Sequence, residues 1–448
     1  MNMDSKLLES KKTIEQILRF YECDDSILVK MIIEMAGSQE GDNYMSVVKR
    51  IIVDYSFRGT QDKNQNQNDI YQRSLIIKRQ IENIEFQNKN LARRKLFRAD
   101  RAFTNEIAAY TKVMPQFQQF ADSIELSIPF VNCLFAGTDD FGDLIVLDDL
   151  KPFGFKMANR LKGLDYTHCK IVLQELGVVH GLSLAAKVLH CNEFAGVVED
   201  IGESIYCAEA ADFFTQSLEC SLKEALFSLR KSSQTFSGLD SAICQIEKLK
   251  GKLFRKMYEC VRGNPGGILR EDFFVVAHGD LWLNNIMWHH DNRNKCDGVK
   301  FIDLQTLRYT SPVIDILHFL YTSTEYAVRA QYMDQLIDDY VDSLYATLQK
   351  FDVHDEYVPN IQTLNEIIRS ELRDRSMYGL GICFWLLPAV TFHPDKIVDL
   401  DTITLDDFKS DNQEKTMTQM QTPEYHARMR ETVMEFYRKG ILNDVSGL

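Results

Sequence analysis

The stretch Phe273-Phe-Val-Val-Ala-His-Gly-Asp-Leu-Trp-Leu-Asn-Asn-Ile-Met-Trp288 holds the densest set of chemistry-bearing residues in the chain. A hydrophobic run enters His278-Gly279-Asp280, a short turn reaches Asn285, and a second apolar run leaves it. A third run ends in Phe301-Ile302-Asp303-Leu304-Gln305, with Asp303 lying 18 residues beyond Asn285. Read as short strands, these runs put two carboxylates and an amide, Asp280, Asp303 and Asn285, at strand ends. If the strands are neighbours, three side-chain oxygens converge. A few hard oxygen ligands of this kind suit Mg²⁺ that also holds substrate phosphates. A carboxylate free of metal duty can accept the proton of an attacking hydroxyl, which is what phosphoryl transfer asks of a side chain. Singly these residues mean little, because His-x-Asp and Asp or Asn beside Gly are ordinary turn chemistry. The spacing H-x-D-x-x-x-x-N with a distal Asp is what makes the set informative.

HGDLWLNNIMW together with FIDLQ resembles the ecdysteroid kinase-like branch of the choline kinase-like and aminoglycoside phosphotransferase-type kinases, which are similar in fold to protein kinases. The resemblance runs from about Gly41 to Tyr345. It implies Asp280 as catalytic base, Asn285 and Asp303 as magnesium ligands, and His278 as a structural member of the loop. Asp315, in Pro312-Val-Ile-Asp-Ile-Leu-His318, matches an acidic position that braces this loop. A helix-initial Asp satisfying backbone N–H groups would look the same. Upstream, Gly41-Asp-Asn-Tyr-Met-Ser46 matches the family's phosphate-covering loop, where backbone N–H groups and Ser46 would reach the nucleotide phosphates. Ser74-Leu-Ile-Ile-Lys78 matches the segment of the ATP-binding lysine, with Glu106 as its partner. A lysine fixed by a glutamate can neutralise α/β-phosphate charge. The proline that usually follows this lysine is missing, since Gln80 and Ile81 stand there. Leu144 to Leu150 matches the connector between lobes, whose extended backbone from Asp148 to Leu150 would hydrogen-bond adenine.

Other candidates read more plainly. His180, in His180-Gly-Leu-Ser183, falls in a helical pattern and is expected to be structural, because the G-x-S-x-G elbow is incomplete. His289-His290-Asp291 reads as a solvated hairpin rather than a metal site, and Lys89, Arg93, Arg94 and Lys95 as a solvated face. Tyr378, Phe384 and Trp385 read as helix core, with the lining of a lipophilic pocket as their other use. No GxxxxGKS/T, HExxH or CxxC spacing is present, which removes P-loop, zincin and zinc-ribbon chemistry. The HRD-type loop, DFG triplet and APE segment of protein kinases are also missing, which argues against a protein substrate.

These residues need a scaffold. Ile14, Leu18, Leu28 and Met31 fall at helical spacing and predict one or two leading helices over 7–33. Tyr44 to Tyr55 and Arg73 to Ile77 read as strands around a polar, Asn/Gln-rich loop. Thr104 to Val113 predicts a helix ended by Pro115, and Ile128 to Phe135 and Leu144 to Leu147 predict strands. Beyond Asp149 the pattern is mainly helical, over His168 to Val188, Ala211 to Leu229 and Ser241 to Val261. The last is read as one helix from Ile243, Ile246, Leu249, Leu253 and Met257. Further helices follow Ile314, and one near the end is punctuated by Thr422 as cap, Pro423 at the first position and Gly440 as stop.

Composition bounds the answer. A chain of 448 residues that is 45% hydrophobic and 26% charged is globular, with room for two or three domains. Its net charge of −14 repels phosphate at long range, which excludes nucleic acid and anionic membrane as partners drawn by charge. Ten scattered cysteines read as free thiols of a reducing compartment. The N-terminus is charged at once, and the most apolar run, Tyr378 to Phe392, is shorter than the ~20 residues of a membrane span. A cytoplasmic protein without a membrane span is expected. The expected fold is α+β and protein kinase-like with two lobes: a helical extension over 1–40, a sheet-rich lobe with one main helix over 41–149, and a larger helical lobe with small catalytic strands over 150–448. The expected function is an ATP- and Mg²⁺-dependent kinase that phosphorylates an alcohol hydroxyl, by the resemblance that of an ecdysteroid or similar lipophilic polyol. A choline- or ethanolamine-type kinase, an inactive kinase-like binding protein and a metallophosphoesterase are the alternatives.

Overall fold

The computed structural model describes residues 3–36, 47–58, 69–80, 98–140, 142–232, 236–263, 271–351, 353, 359–392 and 421–446. The chain divides into two compact units, residues 1–87 with 130–155, and residues 88–129 with 156–448.

Among the described residues the first unit is a five-stranded antiparallel sheet with one helix against it. Helix α1 (Met3–Tyr21) buries Ile14, Ile17 and Leu18, one face at i, i+3 and i+4, against the sheet. The leading helical reading fails beyond Tyr21, because Ile27–Ala36 is strand β1. Its β-branched run satisfies its backbone by pairing with β2 (Val47–Phe57), burying Ile27 and Val29. A register shift between Val29 and Met31 then turns Met31 and Ile33 outward. With β3 (Tyr71–Arg79), β4 (Cys133–Asp139) and β5 (Gly142–Asp148), the order is β1-β2-β3-β5-β4. Ile51, Val53, Leu75, Leu144 and Val146 complete the core.

The second unit is mainly helical. Helix α2 (Ala99–Ala108) continues through a π turn, Ala109–Val113, into α3 (Met114–Asp122). Pro115 does not end this segment; it sits in the first turn after the wider one, where its missing N–H is tolerated. After the short strand β6 (Lys156–Met157), helix α4 (Tyr166–Leu189) starts at Asp165, whose carboxylate accepts the His168 N–H at 3.0 Å. Among the described residues α4 is the helix long and apolar enough to cross a membrane, and most of its apolar stretch is buried inside the protein. Helices α5 (Cys191–Asp200) and α6 (Ala211–Arg230) follow. The single helix read over 241–261 is two, α7 (Leu239–Glu247) and α8 (Leu253–Arg262), parted by Gly251 at φ 72°. Ile243, Ile246, Leu249, Leu253 and Met257 are all buried, so the apolar face outlasts the break.

Between α8 and α9 (Val313–Ser323) lie two small sheets. Strand β7 (Val275–Ala277) pairs with β10 (Arg308–Thr310), while β8 (Ile286–His290) pairs with β6 on one side and β9 (Cys296–Phe301) on the other. The strand entering Asp280 is therefore not the neighbour of the strand leaving Asn285. Helices α10 (Tyr326–Lys350), α11 (Ile361–Asp374), α12 (Ser376–Thr391) and α13 (Pro423–Arg438) complete the unit. Thr422 Oγ1 caps α13 by accepting the Tyr425 N–H at 3.1 Å, as its punctuation predicts. Buried Glu435 of α13 takes the Arg329 guanidinium of α10 at 2.9 Å, which gives the C-terminal segment a partner inside the unit. The α+β class read from the sequence is the class found: a sheet unit, and a larger helical unit carrying small strands.

Candidate active site

The loop after β7 is held by hydrogen bonds on every side. Asp315, in the first turn of α9, accepts the His278 N–H at 2.7 Å and the Gly279 N–H at 2.8 Å through its two oxygens. His180 of α4 stands 3.4 Å from the same carboxylate, with the Tyr340 hydroxyl 2.8 Å from its other ring nitrogen. Burial by itself would push the Asp315 carboxyl up. The His180 hydrogen bond, the His180 and His278 rings and the Gly279 N–H outweigh it and hold the group below the usual carboxylate range. Gly279 has φ 83°, and a Cβ there would lie 2.0 Å from the Thr306 carbonyl oxygen, so only glycine fits. His278 reaches the next strand end, with Nε2 3.0 Å from the Ile302 carbonyl oxygen and Nδ1 accepting the Asp280 N–H at 3.4 Å.

This scaffold brings Asp280 and Asn285 together. Asn285, in the 3₁₀ turn Leu283–Asn285, donates Nδ2–H to the Asp280 carbonyl at 2.8 Å and to Asp280 Oδ2 at 3.0 Å. Ile302 N–H donates to the Asn285 carbonyl at 3.0 Å, continuing the β8–β9 ladder to the residue before Asp303. Asp303 itself has φ 67°, an uncommon conformation for a residue with a side chain, and its Oδ2 accepts from Gln305 Nε2 at 3.1 Å. Backbone pairing thus sets Asn285 and Asp303 side by side through the β8–β9 hairpin, while Asp280 arrives on its own loop.

The donor set fits a hard divalent cation. Both Asn285 Nδ2 hydrogens are spent on Asp280, which fixes the amide so that Oδ1 is the atom left over. No donor among the described residues reaches it. An amide oxygen and a carboxylate on one hairpin are the ligand types that Mg²⁺ accepts while keeping waters and phosphate oxygens.

The nucleotide-side candidates are placed as follows. Lys78 is buried at the end of β3, opposite Val48 and Ile145, in the first unit. Glu106 is buried on α2 in the second unit, next to Asn105, whose amide bonds the Gly202 backbone at 2.6 and 3.1 Å and the Gln305 carbonyl at 3.4 Å. At the end of β5 the backbone is less free than an extended connector suggests. Asp148 N–H donates to the Asn132 carbonyl and Asp149 N–H to the Ser74 carbonyl. The Asp148 carboxylate holds Arg73 at 2.9 Å, and the Asp149 carboxylate holds Arg50 at 2.7 Å. Among the described residues the Leu150 N–H has no acceptor. Ser46 and its loop lie outside the described residues.

Two further groups reach this loop. His318, one turn after Asp315 on α9, approaches Asp280 Oδ1 and was invisible in the sequence because only the fold brings it there. Its i+3 spacing from Asp315 was the available signal. Arg308 of β10 is buried beside Gly279, 3.5 Å from Glu203 and over the Tyr206 ring at 5.2 Å, setting a positive charge behind a loop rich in carboxylates. Tyr378 and Phe384 are fully buried core, whereas Trp385 is half-buried against Phe214 with ring centroids 5.7 Å apart.

A family model described as the ecdysteroid kinase-like family matches residues 40–353. Comparison with the curated proteins gives no match. Among solved structures, the chain is similar to an aminoglycoside 2′-phosphotransferase in a GDP complex, with 8% identity over 98% of this chain and 99% of that one, at a TM-score of 0.39. It is similar also to a spectinomycin phosphotransferase in complex with ADP and spectinomycin (10% identity, 95% and 98% covered, TM-score 0.35). An aminoglycoside phosphotransferase from Alicyclobacillus acidocaldarius gives 10% identity, 93% coverage of both chains and a TM-score of 0.32. Identities and scores this low leave the chemistry to be argued from the loop itself.

Proposed function

The chain belongs to the ecdysteroid kinase-like family, and from that premise we propose that it is an ATP- and Mg²⁺-dependent small-molecule kinase acting on the hydroxyl of a lipophilic polyol, an ecdysteroid or a molecule like it. In this reading Asp280 orients the acceptor hydroxyl and takes its proton as the acceptor oxygen bonds to the γ-phosphorus and the bond to ADP breaks. Asn285 Oδ1 and the Asp303 carboxylate would hold Mg²⁺, which neutralises phosphate charge when bound. Lys78, Glu106 and Ser46 serve the phosphates, and the backbone of Asp148 to Leu150, chiefly the Leu150 N–H, serves the adenine. His278 and Asp315 keep the loop in shape.

The observation that carries the reading is the Asp280–Asn285 pair. The amide spends its hydrogens on the backbone carbonyl and the carboxylate of Asp280 and keeps its oxygen, which in this reading separates a base from a metal ligand within one loop. A lipophilic acceptor is what membership of the ecdysteroid kinase-like family favours. The test is acceptor-dependent formation of ADP and a phosphorylated product across a panel of ecdysteroids, sterols, choline and ethanolamine. Phosphorylation of a polyhydroxylated sterol, lost in Asp280→Asn, supports the reading. Turnover of choline or ethanolamine alone would move the acceptor class, and ATP binding without transfer to any acceptor would leave a nucleotide-binding module.

A further inference from the structure

Away from the Asp280 loop, three metal-ligating side chains from distant parts of the sequence meet. His168 stands in the first turn of α4, His290 closes β8 and Cys296 opens β9, at the opposite end of the hairpin from Asn285 and Asp303. His168 Nε2 lies 3.1 Å from His290 Nε2. Counting Cys296 Sγ, the three ligating atoms lie within 4.8 Å of one another. Two imidazole nitrogens at that distance need a proton or a cation between them, since two lone pairs or two N–H groups repel. A tetrahedral site with metal–nitrogen bonds of about 2.0–2.1 Å has a nitrogen–nitrogen edge of about 3.3 Å. The observed separation is near that edge.

The surroundings are those of a ligand rather than of a surface histidine. His168 Nδ1 lies 2.7 Å from Asp165 Oδ1, so the ring donates there and turns the Nε2 lone pair toward His290. Metal-bound histidines characteristically give their second ring nitrogen to a carboxylate in this way. Cys296 is buried, and the edge of the buried Trp288 ring lies against His168 with centroids 6.4 Å apart. Both histidines are half-exposed, which leaves one side of the cluster open to water. In the hairpin read as solvated at His289-His290-Asp291, Asp291 accepts the Arg293 and Lys295 N–H groups of the turn, while His290 faces His168.

We propose that His168, His290 and Cys296 bind a zinc-class divalent cation, with a water as fourth ligand and Asp165 orienting His168. Two imidazoles and a thiolate are soft for Mg²⁺ and suited to Zn²⁺, so this site and the proposed magnesium site take different ions. On binding, the Cys296 thiol gives its proton to solvent, and His290 keeps its one ring proton on Nδ1. The ion would staple the start of α4 to the hairpin that carries Asn285 and Asp303 at its other end.

The test uses the full-length chain, stripped with chelator, reduced, and titrated with Co²⁺ alone. The expected result is one equivalent bound, with tetrahedral visible bands and a thiolate-to-cobalt charge-transfer band that Zn²⁺ abolishes. Cys296→Ser should lose the charge-transfer band, while Cys191→Ser, at an exposed position, should keep it. Asp165→Asn retains a good helix cap, yet should weaken Co²⁺ binding about 10- to 100-fold. If Cys296→Ser does not fold, loss of the tetrahedral bands in His168→Asn decides the matter. Absence of any charge-transfer band in the unaltered protein, or its survival in Cys296→Ser, overturns the proposal.

Discussion

His318 Nε2 lies 3.2 Å from Asp280 Oδ1, and on the other side of the ring Nδ1 lies 3.0 Å from the Tyr378 hydroxyl. Burial pushes the Tyr378 hydroxyl well above its usual range, and Tyr206 adds to the rise, so it stays protonated. With that hydroxyl donating to Nδ1, the ring proton sits on Nε2, facing the carboxylate. At 3.2 Å that N–H is off the straight line of a good hydrogen bond. If Asp280 is the base proposed above, His318 is a positioning residue for it. His318→Leu should lower kcat about 10²-fold with the KM for ATP unchanged, by misplacing the base. His318→Gln, which can still donate, should recover part of the loss. Steady-state kinetics with the best acceptor checks this, and equal defects in both variants would reduce His318 to packing.

Asp280→Asn should cost about 10²- to 10⁴-fold in acceptor phosphorylation, the usual worth of a general base, while nucleotide affinity stays near normal. Calorimetry with ATP beside a turnover assay separates the two. Chelation of divalent cations should abolish turnover, and Asp303→Ala should raise the Mg²⁺ concentration needed for half-maximal rate. A rate indifferent to chelator would remove the magnesium ligands from the reading.

Gly279→Ala tests the loop without touching a charged group. The added Cβ would meet the Thr306 carbonyl oxygen at 2.0 Å on a backbone with φ 83°, so the loop has to move. A non-glycine residue held in such a conformation costs of order 1–3 kcal/mol before the clash is counted. The variant should melt several degrees lower and be nearly inactive, as thermal denaturation and the kinase assay will show. An unchanged melting temperature would mean that this turn is softer than its contacts imply.

The Arg329–Glu435 pair should be the main ionic anchor of α13. Both side chains are buried, and Arg329 also donates to the Thr324 carbonyl at 2.8 Å. Burial favours the neutral Glu435 carboxyl, but the Arg329 guanidinium and Lys439 outweigh it and hold the group below the usual glutamate range. Breaking such a pair from one side typically costs about 3–5 kcal/mol, the expectation for Arg329→Met by chemical denaturation. A carboxyl with a lowered pKa adds stability above its unfolded value and loses it as pH falls through its folded value. The gap between the unaltered protein and Glu435→Gln should therefore be full near neutrality and shrink below the ordinary glutamate range. A gap constant with pH would show that the charge is not what matters.

Local rules were readable where they acted alone. Thr422, Pro423 and Gly440 mark α13 because caps and stops work within one turn of chain. The H-x-D-x-x-x-x-N spacing located the loop for the same reason. What stayed hidden depends on distant partners. Ile27 to Ile33 reads equally as helix or strand until β2 lies beside it, and the face through Ile243 and Met257 is periodic on both sides of a backbone break at Gly251. The pairing of β7 with β10, rather than with β8, joins segments more than 30 residues apart, as the register Arg308↔Ala277 shows. His168 and His290, 122 positions apart, could be matched only by folding.

The π turn at Ala109–Val113 carries one residue more than an ordinary helical turn would use. Trimming a single residue there would let the segment relax into plain α-helix, with Asn105 upstream and Phe117 downstream keeping their angular phase. The same deletion a turn earlier or later would swing one of those side chains about 100° around the axis, as 3.6 residues per turn dictates. This part of the chain therefore has a built-in tolerance to losing one residue, confined to five positions.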